Sequence, residues 1–571
     1  MFYKNLIFDI DDTLYDYTSC NLKSLEIVFQ RIQELSHTHQ IDEIRRIYNS
    51  ISEKHVRQTL GTSASHNKYI KLKHTLEVLC ISLQELPYLD ELYWKTFYSK
   101  IQLYEGVLEF ITWNKSIGVK IGVLSNYDTE HQINKLAHLK LLNIIDCIVT
   151  SQEVGCEKPS SSVYNYILNK MNAEKSDTIM IGDNYKNDIT GALDSEILPY
   201  WFNILLSDNE VIIRERFVEF NSFSSLYIHH KQIYHELCVL QKISRHFGER
   251  VDLVQGGGGN TSVKMNSLLF IKSSGKNLSE IKVNSGYAIM NNNLIIKEIE
   301  RKIFDDKNNL CKCKIIGKEP ASIETYMHSI LKKYVVHLHS IQMNRILVLK
   351  EGFKIIKKMF PDSLFVNYYS PGLEICDKIL ESYNGEEIIF LGNHGIIISV
   401  EKYDKLIELT DLILEKFEKH EINSSLNKVN DMIFVISSHI NNKYNLNNVT
   451  YMSCDVVLKE YVETKQHLFY QDVTFPDSLI FCGYKCCLIK ELNNLKEVDT
   501  YFSLYNEIPK IIICDNKIYI NSISLIKCRD IESVLKARIM IADTPDEKIY
   551  LSNEELLKLV NSKSEKYRQS N

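Results

Sequence analysis

The chain has 571 residues, 44% hydrophobic and 25% charged, a balance typical of globular domains and too much chain for a single core. A formal net charge of −6 and a pI near 6.3 provide no basic field of the kind nucleic acid or an anionic membrane attracts, so neither is expected as a partner. The first apolar run, Leu6-Ile7-Phe8, stops at Asp9, no stretch approaches the roughly 20 apolar residues of a membrane span, and the close pairs among the 14 cysteines lack the spacing of a zinc site; a cytoplasmic chain of reduced thiols is expected.

In chain order, short apolar runs at 4–10, 119–125, 145–150 and 177–182 alternate with helix-like sequence. That alternation predicts a Rossmann-like parallel sheet with helices on both faces. Residues 17–105 carry apolar positions at helical spacing and predict a helical cap inserted after the first strand. Residues 206–233 are weakly patterned and are expected to link a first domain, 1–205, to a second, 234–425. The second is also expected to be α/β: a glycine run at 256–259, strands near 262–272, a helix near 322–333, and strands near 334–338 and 388–399. Residues 426–571 form a mixed extension, with hairpin-like strands at Lys510–Ile513 and Lys517–Ile520.

The first strand runs into Asp9-Ile10-Asp11-Asp12-Thr13, and open α/β sheets bind ligands at the carboxyl ends of their strands. Later strands end in Ser125-Asn126, in Lys158-Pro159 and in Gly182-Asp183-Asn184 with Asp188 beyond. Together these supply a carboxylate nucleophile, oxygen ligands suited to Mg²⁺, and a cation and hydroxyl for phosphoryl oxygens. An isolated Asp-x-Asp is usually a solvated acidic turn; four clusters in this order are not. The set resembles the haloacid dehalogenase superfamily over roughly residues 1–200. The resemblance implies that Asp9 attacks phosphorus and Asp11 acts as acid and then base. It implies further that Ser125, Asn126 and Lys158 hold the phosphoryl group, and that Asp9, Asp11, Asp183 and Asp188 serve Mg²⁺. Dehalogenases of the superfamily lack the second acid, so Asp11 favours a phosphatase.

The second constellation is Val336-His337-Leu338-His339, two imidazoles on one face of a strand, with His394 in Gly392-Asn393-His394-Gly395. Three histidines with an open fourth position describe a catalytic zinc site. Gly256–Gly259 is followed by Asn260-Thr261-Ser262 and then by Lys272-Ser273-Ser274-Gly275-Lys276, a source of amide and side-chain donors for a phosphate that lacks the spacing of a Rossmann or Walker loop. Ser322-Ile323-Glu324-Thr325 lies between these pieces.

Over about residues 234–421 the chain resembles the class II aldolase/adducin family, with Gln255–Lys264 and Ser322–Thr325 most similar to the aldolase part of rhamnulose-phosphate aldolase/dehydrogenase fusions. The resemblance implies Zn²⁺ held by His337, His339 and His394, a proton moved by Glu324, and a phosphate on Gly259, Asn260, Ser274, Gly275 and Ser322. Ile323 stands where some members have a second serine, so one phosphate donor is missing. It also implies a homo-oligomer, commonly a tetramer, built through the aldolase part.

Aldol addition is reversible whereas ester hydrolysis in water is effectively one-way, so a fused phosphatase would pull a condensation forward. The expected activity is therefore condensation of dihydroxyacetone phosphate with an aldehyde, followed by dephosphorylation of the ketose 1-phosphate. A zinc-dependent dehydratase or decarboxylase is the enzymatic alternative, and a non-catalytic scaffold the alternative of another class.

Overall fold

The structure, a computed structural model, describes residues 3–207, 210–250, 252–301, 306–369, 372–418, 424–490, 495–544 and 550–561. The first sheet comprises β1 (Asn5–Phe8), β2 (Lys120–Ser125), β3 (Cys147–Thr150), β4 (Thr178–Gly182), β5 (Leu198–Phe202), β6 (Ile212–Ile213) and β7 (Val218–Phe220). Their order is β3-β2-β1-β4-β5-β7-β6, parallel except for β6. Leu6 and Phe8 pack into one core and Ile7 into another on the opposite face, the period of a strand buried on both sides. The cap occupies the expected place between β1 and β2, as the helices Tyr17–Ser36, Ile41–Thr59, Lys68–Val78 and Leu86–Lys100. Asp16 caps the first, accepting from the Ser19 amide at 2.8 Å.

Residues 206–233, read as a linker, are instead part of the fold. β6 and β7 extend the sheet, held by Arg214 on buried Glu219 at 2.6 Å. The 26-residue helix Phe223–Gly248 then begins inside the expected linker, capped by Ser222. Its first half packs on the first unit through Phe223 and Tyr227, against Phe110 and Trp113. Its second half packs on the next unit: Glu236 accepts from Lys333 and the Tyr334 hydroxyl, and Ser244 meets Thr261 at 2.6 Å. Its buried positions, from Phe223 to Phe247, recur at three- and four-residue spacing along one face, but that face includes the polar His229, His230, Glu236 and Ser244, which weakens the apolar signal.

The second sheet comprises β8 (Asn260–Met265), β9 (Leu268–Lys272), β10 (Tyr287–Asn291), β11 (Lys314–Ile316), β12 (Tyr334–Leu338), β13 (Leu364–Val366), β14 (Ile388–Leu391) and β15 (Gly395–Val400). The order is β11-β10-β9-β8-β12-β15-β14-β13, antiparallel except between β13 and β14. The helix expected near 322–333 is shorter, Thr325–Ile330, and the strand expected at 388–399 is a hairpin turning at Asn393. The C-terminal part has its own sheet of β16 (Val449–Met452), β17 (Cys487–Leu488), β18 (Ile511–Cys514) and β19 (Lys517–Ser522), ordered β16-β19-β18-β17. The expected hairpin is there, turning on Asp515 and Asn516, both at positive φ. Helices cover both of its faces, since Ile511 and Ile513 enter one core and Ile512 and Cys514 another. All 14 cysteines are free thiols, and no helix among the described residues is long and apolar enough to cross a membrane.

Candidate active sites

The carboxyl ends of β1, β2 and β4 meet at a cavity of about 240 Å³ lined by Asp9, Asp11, Tyr17, Ser125, Lys158 and Asp183, among others. Lys158 Nζ donates to Asp9 at 2.5 Å and to Asp188 at 2.6 Å. Ligand oxygens of Asp9, Asp183 and Asp188 all lie within 4.8 Å of one another. The Thr13 hydroxyl stands 3.0 Å from Asp183 and 3.3 Å from Asp9. Gly182 is obligatory here, because a Cβ would collide with the Asp188 carboxylate.

Burial, only partly offset by Lys158 and reinforced by Asp188 and Asp183, raises Asp9 well above the carboxylate range. Burial and then Asp188 push Asp183 up to about 7. Three crowded carboxylates sharing one lysine are a donor set with surplus negative charge and hard oxygen atoms, which fits Mg²⁺.

Two expectations change. Asn126 gives its amide oxygen and one amide hydrogen to the Lys158 backbone, accepting at 2.7 Å and donating at 3.0 Å, so its side chain orients the lysine at the cavity wall. The Asp11 side chain, expected to serve the metal, stands outside the carboxylate cluster. Both its oxygens accept from Lys135 at 2.8 Å, with further donors in Gln132 at 3.1 Å and the Tyr15 hydroxyl at 2.5 Å. Burial alone would raise Asp11, but Lys135 and these hydrogen bonds hold it below the usual range. Lys135 is fully buried and also lies over the rings of Tyr127 and Tyr17, at 4.4 and 4.9 Å. Gln132 reaches Ser125 as well, at 2.7 Å. Neither residue was foreseen; the available signal was a Gln-x-x-Lys pair, one turn apart, in the helix that follows Ser125-Asn126.

The second site lies across β12, the turn between β14 and β15, and the start of the helix Thr325–Ile330. The rings of His337, His339 and His394 have centroids 4.7 to 5.1 Å apart. Their ligand nitrogens and a Glu324 oxygen lie within 4.8 Å of one another. Glu324 Oε1 is 3.0 Å from His337 Nδ1. Close packing requires glycines here: a Cβ on Gly258 would lie 2.7 Å from His339 Nδ1, and one on Gly395 would strike the Leu338 carbonyl.

Burial and then His337 lower His339 and His394 to about 4, so both imidazoles are neutral. Burial would raise Glu324, but His337, His328 and a hydrogen bond from Asn260 hold it far below the carboxylate range. His337 Nε2, His339 Nε2, His394 Nδ1 and Glu324 Oε2 are buried without a hydrogen-bond partner. Converging, unpartnered imidazole nitrogens are the donor set Zn²⁺ takes, so the residues fit that ion.

The expected phosphate residues converge beside it. Asn260 donates to Ser322 at 2.8 Å, the Ser274 amide donates to the Pro320 carbonyl at 3.1 Å, and Gly259 and Gly275 occupy the positive-φ turns of their loops. Lys272, named in the sequence motif but given no role, ties two of these loops together: its buried ammonium donates to the Gly257 and Lys276 carbonyls, at 3.0 and 2.8 Å. His328, also unforeseen, is buried one turn beyond Glu324 with Nδ1 2.7 Å from the Ser262 hydroxyl.

The fold and both centres describe an enzyme in which a carboxylate cluster of hydrolase type precedes a second domain with a three-histidine metal site. The haloacid dehalogenase-like hydrolase family matches residues 6–198, and the class II aldolase and adducin N-terminal domain matches residues 238–415. The chain belongs to the haloacid dehalogenase-like hydrolases through its N-terminal domain and carries a class II aldolase/adducin domain behind it. It is 31% identical over 189 residues to the ribulose-1,5-bisphosphate 5-phosphatase of Halopiger xanaduensis, covering 33% of this chain and 79% of that protein. It is 27% identical over 214 residues to a glyceraldehyde 3-phosphate phosphatase of Methanothermobacter thermautotrophicus, covering 36% and 88%. Among solved structures it is similar to an N-terminal class II aldolase domain from Thermoplasma acidophilum, at 24% identity and a TM-score of 0.30, covering 32% of this chain and 93% of that one.

Proposed function

We propose that the chain couples zinc-dependent aldol addition of dihydroxyacetone phosphate to an aldehyde with Mg²⁺-dependent hydrolysis of the resulting ketose 1-phosphate to a free ketose. The observation that carries this reading is the cluster of His337, His339 and His394 around unpartnered nitrogens, with the Glu324 carboxylate beside it. Zinc bound there supplies Lewis-acid polarisation of a substrate oxygen. Glu324, kept charged, is a base able to take the proton from the carbon next to the donor's carbonyl. Gly259, Asn260, Ser274, Gly275 and Ser322 hold the donor's phosphate, and Lys272 keeps their loops in register. Lys272→Met is therefore expected to raise KM for a phosphorylated donor about tenfold or more, the loss of charge-assisted hydrogen bonds, with zinc content unchanged. An unaltered KM would remove Lys272 from the cradle.

In the other domain, an Asp9 oxygen attacks phosphorus and the bond to the sugar oxygen breaks, its electron pair leaving with that oxygen, which takes a proton from Asp11. Asp11, now a carboxylate, takes a proton from water, whose oxygen attacks phosphorus and frees Asp9. Mg²⁺ at the carboxylate cluster offsets charge on the phosphoryl oxygens. In the arrangement described, Asp11 is ionised by Lys135 and so is set for the second step; the first requires it to part from Lys135 and carry a proton. That the two relatives are named as phosphatases of small phosphorylated carbohydrates supports such a substrate here.

The test uses the full chain with Asp9→Asn, incubated with dihydroxyacetone phosphate and a panel of aldehydes, the phosphorylated products being identified by mass spectrometry. Ketose phosphates should accumulate. Their absence with every aldehyde, together with no release of dihydroxyacetone phosphate from ketose 1-phosphates, would sink the aldolase in favour of a dehydratase or decarboxylase. The reading includes a homo-oligomer, commonly a tetramer, assembled through the aldolase part. Light scattering should give a multiple of 66.5 kDa, and a monomer with full aldolase activity would end that part of the proposal.

A further inference from the structure

Two cap lysines are buried in a place the phosphoryl chemistry does not use. Lys68 and Lys71 stand one turn apart on the helix Lys68–Val78, 9% and 5% exposed. Neither forms an ion pair among the described residues, and Asp11, which acts on Lys68 from a distance, is held by Lys135. Lys68 Nζ donates to the Tyr17 hydroxyl at 2.9 Å and lies 5.6 and 5.9 Å from the ring centroids of Tyr17 and Tyr93. Lys71 Nζ, which is not sealed from solvent, has no hydrogen-bond or ion-pair partner among the described residues. Burial, then Lys71 and Lys135, draws Lys68 down to about 7, and burial alone lowers Lys71. Lys135 is already matched by Asp11, so the excess positive charge belongs to the cap pair.

Ring faces more than 5 Å away offset the buried Lys68 ammonium only weakly, while the Lys71 ammonium beside it is open to an incoming anion. Tyr17 connects the pair to the reaction, because its ring lines the cavity of Asp9, Ser125 and Lys158 and its hydroxyl accepts from Lys68. A substrate with its reacting phosphate on Ser125 and Lys158 would extend past Tyr17 toward the cap. We propose that Lys68 and Lys71 form a second anion subsite, so that the phosphatase domain selects sugar phosphates carrying a further phosphate or a carboxylate.

This inference rests on the phosphatase reading of the N-terminal domain. The full chain, with Lys68→Met, Lys71→Met and Lys68→Arg, is assayed with Mg²⁺ on glucose 6-phosphate, glucose 1,6-bisphosphate and 6-phosphogluconate, none of which is a ketose 1-phosphate. The wild type should favour a doubly anionic substrate by about tenfold or more in kcat/KM, mainly through KM, as one charge-assisted hydrogen bond warrants. Each methionine variant should lose most of that ratio and Lys68→Arg should keep it; comparing the bisphosphate with the phosphogluconate tells which anion is taken. The same ratio is read as binding to the Asp9→Asn chain by calorimetry, so the subsite is tested even without turnover. No preference in the wild type, or an intact ratio in both methionine variants, overturns the subsite. Selective binding without any phosphate release by the wild type would keep the subsite and sink the phosphatase reading instead.

Discussion

Asp9→Asn is expected to lower Mg²⁺-dependent phosphate release by on the order of 10⁴-fold or more, the scale on which loss of a covalent nucleophile acts. A neutral amide oxygen is a poor nucleophile, and the substitution also removes one of the three carboxylates available to the metal. Folding should survive. Asp9 is a buried carboxylate raised by burial, and replacing it by a neutral group of the same shape removes a desolvated charge, while Lys158 retains Asp188 at 2.6 Å. The measurement is released phosphate over a range of sugar phosphates, with the melting temperature as control. Undiminished release in a folded Asp9→Asn chain would eliminate the aspartyl-phosphate route.

His337→Ala should have the matching effect on the other centre. The residue contributes one of three imidazoles and also stands 3.0 Å from Glu324, so its loss removes a ligand and the neighbour that positions Glu324. Loss of a ligand should cost more than the 10- to 100-fold in metal affinity typical of its supporting residues, roughly 10³-fold or beyond. Zinc per chain, by elemental analysis after dialysis, should fall from about one to near zero, and release of dihydroxyacetone phosphate from ketose 1-phosphates should go with it. Phosphate release should persist, since Asp9, Lys158 and Asp188 lie in the unit built on the other sheet. Full zinc retention would show that the metal is held elsewhere.

Both centres were largely legible in the sequence because their donors end strands. Asp9, Ser125 and Asp183 follow or close β1, β2 and β4, His337 and His339 follow strand alternation, and His394 sits at a hairpin turn, so local pattern and chain order were enough to assemble them. What escaped depends on contacts between distant segments. Lys135 and Gln132 read as ordinary helix residues until the fold brings them to Asp11, 124 and 121 positions away. Lys272 reads as the end of a strand, and its role becomes visible only with the Gly257 and Lys276 carbonyls around it. Asn126 was correct in location but different in employment, because sequence cannot say whether an amide faces a ligand or the neighbouring backbone. The linker reading fails because the one buried face of the helix Phe223–Gly248 mixes polar residues, His229 and His230 among them, with its apolar ones.

The helix Phe223–Gly248 bears on any attempt to re-space the two domains. Because one half is fixed to each, the connection behaves as a strut whose angular phase matters, unlike a slack chain whose length alone counts. At 3.6 residues per turn, one residue inserted between its two contact halves would turn one domain about 100° against the other and move it about 1.5 Å along the axis. That rotation would pull the Gly317 amide off the Ser176 carbonyl and separate Lys318 from Glu174, contacts that now join the two units directly. Seven inserted residues, close to two whole turns, would nearly restore the facing while lengthening the strut by about 10 Å. Spacing in this enzyme is therefore adjustable only in steps of helical turns.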